Sequence, residues 1–488
     1  GGRRSADERG EGAAGAGGAG LMARGKKKEA ALSPAERLQA ALVPESEQPY
    51  KVPENWCWVY LKSISRIQTG KKDANYGSQD GEYPFFTCAA EPIRCHGYSF
   101  DSNAILLAGN GDINNISLYN GKFEAYQRTY VVEIVEPINT DYAFYWFKYR
   151  WFDFNKDKMF GTAIPYIRLG NLQEFPIPVP PLTQQQRIVD RIESLFTKLD
   201  EAKQKAQDAL DSFETRKAAI LHKAFTGDLT AQWRKERGLG MESWEDISWG
   251  AFISSIEAGK NWNAEGRPPQ DNEFGVVKVS AVTWGEFNEN ESKTCTISSQ
   301  LNEATQIHAG DFLFSRANTL QLVGNCVIVK NISKRLMLSD KILRFTFQSV
   351  VVPNFVLYYT KSQAYRIQVE QLASGNQDGM RNISQKNLKA IIFPVPKIEE
   401  QTEIVRILDD LLAKEQQAKE AAEKVLEQID LTKKAILARA FRGELGTNDP
   451  SEESALELLK ETLQKAERFC SVYVLDNPSS ATYNGCMR

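Results

Sequence analysis

Catalytic constellations are hard to find in this chain of 488 residues. There are three histidines, His96, His222 and His308. Cys88, Cys95 and His96 lie near one another in sequence, but a zinc site takes four ligands at suitable spacing, and the fourth is missing. His222 follows an Ala-Ile-Leu run and reads as a helix-surface residue. No Gly-x-Gly-x-x-Gly follows a strand-like run, and no phosphate loop ending in Gly-Lys-Ser/Thr occurs. Asn-Pro-Pro or Asp-Pro-Pro before an aromatic residue is also absent. The expectation is no catalytic residue, no bound cofactor and no metal.

What the chain does carry is side chains that read base edges. Arg and Lys suit guanine, and Asn and Gln suit adenine, when loops present them to a groove. Thr69-Gly70-Lys71-Lys72 and Ala258-Gly259-Lys260 are glycine turns with basic tips. Gly109-Asn110-Gly111-Asp112 and Ser315-Arg316-Ala317-Asn318 each follow a strand-like run. Ser374-Gly375-Asn376-Gln377 with Arg381 precedes a late strand, and Met159-Phe160-Gly161-Thr162 with Arg168 holds the matching place earlier in the chain. Arg94 and Arg128 are further candidates for phosphate contact. Singly, each cluster reads as a solvated turn. As a set at matching places, they describe a binding edge for duplex DNA. Net charge argues the other way: it is −3, with a pI of about 6.0, whereas proteins that neutralise many phosphates show a basic excess. A mixture of basic residues clustered on one face and phosphate contacts supplied by another protein reconciles the two. It predicts weak DNA binding by the isolated chain and strong binding by a complex.

These clusters match because the chain repeats itself. Residues 178–229 and 394–445 align without a gap, sharing Pro-Val-Pro at the start, then Ala-Ile-Leu (219–221 and 435–437), then Ala-Phe-x-Gly (224–227 and 440–443). Each copy reads as one long helix, opened after Pro180 or Pro396 and closed by Gly227 or Gly443. A seam stepping by four and three runs through Ile188, Ile192, Leu195, Leu199, Ala202, Ala206, Ala209 and Phe213. The second seam is Ile404, Leu408, Leu411, Ala418, Ala422, Val425, Ile429 and Ile436, with Glu415 interrupting it. Roughly forty residues of helix span on the order of 60 Å. The partner expected for each stripe is the other copy, in an antiparallel coiled coil.

The globular parts precede the helices. Strand-like runs occur at 83–87, 104–107 and 129–135 in the first, and at 275–279, 311–315, 324–329 and 343–347 in the second. Aromatic helices are expected at 141–151 and 355–362. The fold class expected is α+β: two similar mixed α/β target recognition domains separated by two long helices, with a pseudo-two-fold internal repeat. The order is a disordered tail 1–32 with a natural start at Met22, an N-terminal helix and connector 33–52, and a first recognition domain 53–181. The first long helix, 182–240, follows, then a second domain 241–396, a second long helix 397–446, and a C-terminal helix and tail 447–488. Seven irregularly spaced cysteines suit a reduced, cytoplasmic protein, and no apolar run approaches the roughly 20 residues of a membrane span.

This layout resembles the specificity subunit of type I restriction–modification systems. The resemblance covers residues 33–445. It rests on LSPAERLQAALVPESEQPYKVPENWCWVYL, on PIPVPPLTQQQRIVDRIESLF and FPVPKIEEQTEIVRILDDLL at the helix starts, on KAAILHKAFTGDLT and KKAILARAFRGEL at their ends, and on DFLFSRANTLQLVGNCVIV. The resemblance implies that each globular domain reads one half of a bipartite duplex DNA target and that the helices set the spacing between halves. It also implies that two methylation subunits dock on this chain, bringing S-adenosylmethionine, and that ATP-using restriction/translocase subunits join them. This chain would itself be non-catalytic. The competing reading is a coiled-coil scaffold with two protein-binding domains, which the near-neutral charge favours. A self-sufficient methyltransferase is disfavoured by the missing motifs.

Overall fold

The computed structural model describes residues 32–297, 299, 301–377 and 380–476. The tail expected at 1–32, apart from Leu32, and the last twelve residues, 477–488, lie outside the described residues. The chain divides into two compact units, one of Gly1–Phe196 with Lys433–Arg488 and one of Thr197–Thr432. This division does not follow the linear order of domain and helix, because both long helices give residues to both units.

In the first unit, six strands run in the order Ser65–Thr69, Thr129–Ile134, Phe100–Ala108, Ile116–Ala125, Tyr83–Phe86, Ile93–Cys95. Alternation along the central strand decides the two faces. Ile105 and Leu107 join Val132 and the aromatic helix Thr140–Asn155, which buries Tyr142, Trp146, Phe147 and Trp151. Ala104 and Leu106 face the other way, onto Phe86, Phe123 and Val131. The proline-bearing strand Pro176–Val179 pairs antiparallel with Cys57–Tyr60. Proline has no N–H to donate, but its carbonyl still accepts. Tyr142 Oη donates to Pro178 O at 2.6 Å and Trp146 Nε1 to Pro176 O at 2.8 Å.

Both ends of the described chain close this unit. The N-terminal helix Pro34–Ala41 begins with a reciprocal capping box between Ser33 and Glu36. Ile188, Val189 and Ile192, from the start of the helix Leu182–Asp211, share one core with Leu437, Ala440 and Phe441 and with Leu459 of the helix Ala455–Asp476. Trp56 Nε1 donates to Gln184 Oε1 at 3.0 Å, and Gln184 Nε2 donates to Asn448 Oδ1 at 2.9 Å. Arg187 grips Glu452 through both terminal nitrogens at 2.9 and 2.7 Å.

In the second unit, one sheet has the order Ile253–Ala258, Ile342–Phe347, Phe312–Ser315, Cys326–Ile328. A second has the order Ala264–Glu265, Ser292–Cys295, Phe274–Val277, Arg335–Met337. A third, small sheet joins Ala317–Asn318, Met380–Asn382 and Ser374–Gln377. Trp249, Phe314, Phe345, Tyr365 and Phe393 form the aromatic centre, covered by helices Pro353–Tyr359 and Gln363–Leu372. Leu221, Ala224 and Phe225 share that core with Ile404, Val405 and Leu408. Arg216 Nε lies 2.9 Å from Glu415 Oε2, and Lys419 Nζ sits 5.0 Å from the Phe213 ring centre.

The helices differ from expectation in two ways. The first is not continuous: it ends at Asp211 and resumes as Phe213–Phe225. Ser212 at the break returns its hydroxyl to the carbonyls of Asp208 and Ala209 at 2.8 and 3.2 Å, sharing the Asp208 carbonyl with its own backbone N–H at 3.1 Å. The seams also shift in mid-helix. Ala209, Ala418 and Val425 are exposed. Ala206 and Ala422 are buried, at the same place in the two repeats. Glu415 holds its seam position through the ion pair with Arg216.

Other repeat positions make the same bonds in their own units. Gln185 Nε2 donates to Pro180 O, and Gln401 Nε2 to Pro396 O, at 2.9 and 2.8 Å. Each amide oxygen also accepts a loop N–H, from Asn139 and from Val352 respectively, at 2.8 Å in both.

Candidate nucleic-acid interface

In the first unit, backbone hydrogen bonds link the sequence-separated clusters into one edge. Gln127 N donates to Lys72 O at 2.9 Å, Gly109 N to Arg128 O at 2.9 Å, and Ile167 N to Gly109 O at 2.9 Å. Gly70 must be glycine for this: a Cβ there would lie 1.8 Å from Ala125 O. Asn110 forms a bridge to Tyr166, and Tyr166 pairs with Phe160. The Arg168 guanidinium stacks 3.9 Å from the Phe160 ring centre, and its Nη2 donates to Tyr166 Oη at 3.2 Å. Stacking of this kind holds a guanidinium in place and leaves its outer donors in water. Lys71 is exposed, while Lys72 Nζ lies 4.4 Å from the Tyr76 ring centre. Lys71, Lys72, Asn110, Arg128 and Arg168 therefore belong to one edge.

Arg94 stands apart, on the outermost strand Ile93–Cys95. Its Nε and Nη2 serve the carbonyls of Gly81 and Glu82 at 3.1 and 3.0 Å, so it staples a loop. Cys95 is buried, its thiol pushed up by desolvation, and His96 Nε2 lies 3.3 Å from Asp80 Oδ1. Among the described residues no group of three or more His, Cys, Asp or Glu is placed to hold a metal.

The second unit builds the same edge. A Cβ on Gly259 would lie 1.7 Å from Leu338 O, as on Gly70 in the first. Gly259 N donates to Ser339 O at 3.3 Å, Arg316 N to Lys341 O at 3.0 Å and Ile383 N to Arg316 O at 2.9 Å. Asn318 is the register partner of Arg381. Arg381 reaches back to Gly375 O. Asn376 and Gln377 lie on the strand Ser374–Gln377, with side chains outside the described ones. Lys260 Nζ sits 5.9 Å from the Trp262 ring centre. The Asn318 amide is largely spent on its surroundings: Nδ2 donates to Thr283 Oγ1 at 3.2 Å, and Oδ1 accepts from Thr319 N at 2.9 Å.

The sequence reading missed two things here. Lys341 stands just before the strand Ile342–Phe347 as Arg128 stands just before Thr129–Ile134, a signal that was present in the chain. The loop at Thr283 gave none, because its place beside Asn318 depends on a contact 35 residues away.

The model of the type I restriction modification DNA specificity domain matches residues 53–210 and 256–428. The chain belongs to this family. Among curated relatives, the specificity subunit of the type I restriction enzyme EcoDI from Escherichia coli is 27% identical over 455 residues, covering 86% of this chain and 97% of that one. The MjaVIII specificity subunit from Methanocaldococcus jannaschii is 25% identical, covering 81% of this chain and 94% of its own length. The solved HsdS subunit from Thermoanaerobacter tengcongensis shares the fold, with a TM-score of 0.57 at 20% identity, over 82% of this chain and all of that one. No helix among the described residues of this specificity subunit is long and apolar enough to cross a membrane.

Proposed function

We propose that each unit reads one half of a bipartite duplex DNA target. The observation that carries this is the paired edge. Lys72, Arg128, Asn110 and Arg168 in one unit, and Lys260, Lys341, Arg316 and Arg381 in the other, stand on matching backbone scaffolds. Matching scaffolds with different side chains suit two different half-sites read by one mechanism: hydrogen bonds to base edges, with lysines on phosphates. The two long helices pair antiparallel as a coiled coil, as the pseudo-two-fold internal repeat suggests, and set the spacing between half-sites. The coiled coil also docks two copies of a methylation subunit, one for each repeat. S-adenosylmethionine and ATP belong to those partners and to restriction/translocase subunits. This chain contributes recognition and no catalysis, and acts in the cytoplasm.

The test is a methylation map. The chain is co-expressed with its methylation subunit in a methylation-free host, and modified adenines are sequenced. Two short specific blocks around a fixed gap support the proposal. A stable complex that modifies no such site would favour the scaffold reading.

A further inference from the structure

Trp284 has a relative exposure of 76%, more than any other large hydrophobic side chain among the described residues. Such exposure in a solvated turn is unremarkable when the turn is loose, but this turn is pinned. Ala281, Val282 and Thr283 just before it are buried. Thr283 Oγ1 donates to Val279 O at 2.9 Å and accepts from Asn318 Nδ2 at 3.2 Å. Thr283 O accepts from Asn325 Nδ2 at 2.8 Å, and Asn288 N closes the loop on Ala281 O at 3.0 Å. Gly285, with φ at +86°, then turns the chain back. A pinned loop thus carries an exposed indole one residue past Thr283, and Thr283 joins that loop to Asn318, the register partner of Arg381.

An open groove of about 720 Å³ runs under the indole, with Phe287, Ile332 and Ala309 in its walls. Its two carboxylates already have donors: Glu289 accepts from Ser333 and from the Lys334 N–H, and Glu286 lies 3.3 Å from Lys330 Nζ. The groove is therefore not a cation site. Tryptophan held rigid at low entropic cost is the residue type that most often dominates a binding interface. Continuity with a basic edge selects the partner. In the first unit, Phe160, at 37% exposure, lies against the Arg168 guanidinium, so an exposed ring also accompanies the edge there.

We infer that Trp284 is a DNA-contacting residue, packing its indole on an apolar surface of the duplex at the half-site read by the second unit. Duplex DNA offers two such surfaces there, the thymine methyl group and the deoxyribose. The inference rests on the proposed reading of DNA by this unit and adds an apolar contact to its hydrogen-bonding edge.

The test uses the assembled methylation complex on a target found by the methylation map. Benzoylphenylalanine placed at position 284 is irradiated with that duplex. An adduct to nucleotides of the second unit's half-site is expected. An adduct to a protein subunit, or none while the complex holds DNA, overturns the inference. Trp284→Ala is expected to lower kcat/KM for methylation about tenfold or more, with Trp284→Phe recovering part. Unchanged kcat/KM in Trp284→Ala overturns it as well. Thymines of that half-site are then replaced by uracil in turn. A loss that the Trp284→Ala complex does not share assigns the methyl group, and equal binding throughout assigns the deoxyribose. A wild-type complex without any bipartite target would instead remove the reading on which the inference rests.

Discussion

Arg316 and Arg234 are both arginines of the second unit, and their surroundings give them opposite tasks. Arg316 is partly exposed, and its backbone N–H and carbonyl fix it between Lys341 and Ile383. Arg316→Ala is expected to relax only the half-site read by the second unit, seen as degeneracy in one block of the methylation map. Equal relaxation of both blocks would mean Arg316 does not read bases. Arg234 is buried against Glu400 at 2.5 Å, and it also holds Thr230 Oγ1 and the Gly227 carbonyl at 3.0 and 2.7 Å. Removing one member of a buried pair strands the other charge, which costs about 3–5 kcal/mol. Arg234→Met should therefore lower the melting temperature markedly, and Arg234→Met with Glu400→Leu should recover much of it. The place of Arg316 directly after the strand Phe312–Ser315 was legible in the sequence, because a polar cluster after a strand is a local pattern. The task of Arg234 was not: its partner lies 166 residues away, and nothing in Trp233 to Leu239 distinguishes it from a polar helix end.

At the scale of elements, the glycine turns show how far local pattern carries. Gly70-Lys71 and Gly259-Lys260 read as turns with basic tips, yet their glycines serve a close approach of backbone to the neighbouring strand end. Gly259→Ala should shift that edge and destabilise the second unit by about 1–3 kcal/mol, measurable by urea denaturation. The long helices were legible through their repeat, but not the break at Ser212 or the shifted seam. Alanine and serine carry little patterning of their own, and which of them is buried depends on contacts far along the chain. Deleting one heptad from 197–203 should change the gap between half-sites, or abolish assembly, and leave both half-site sequences as they were. The methylation map reads either result, and a changed half-site would deny the helices a separate role.

At the scale of the molecule, the first unit is assembled from the two ends of the chain. Arg187 and Glu452 fasten the returning segment, and the guanidinium beside Glu452 holds its carboxyl below the usual 4.5. A carboxyl whose folded value is depressed stabilises above its unfolded value, and that stabilisation is lost as pH falls through the folded one. The stability difference between wild type and Glu452→Gln should thus be present at neutral pH and vanish on acidification below about 4.5. The pair is partly exposed, so the difference should stay within about 1 kcal/mol. A difference that persists in acid would show that packing, rather than charge, fastens the segment.

The closure of that unit also sets an order of events during synthesis. Its sheet leaves the ribosome first, yet Leu437, Phe441 and Leu459 of its core come last. The second unit, whose residues 197–432 are contiguous, has every part it needs before then. The domain made first thus waits with an unfilled apolar seat while the later one folds, and exposed apolar surface of that kind is what chaperones bind. A ribosome that stalls after the second unit releases a chain with one finished unit and one that cannot close.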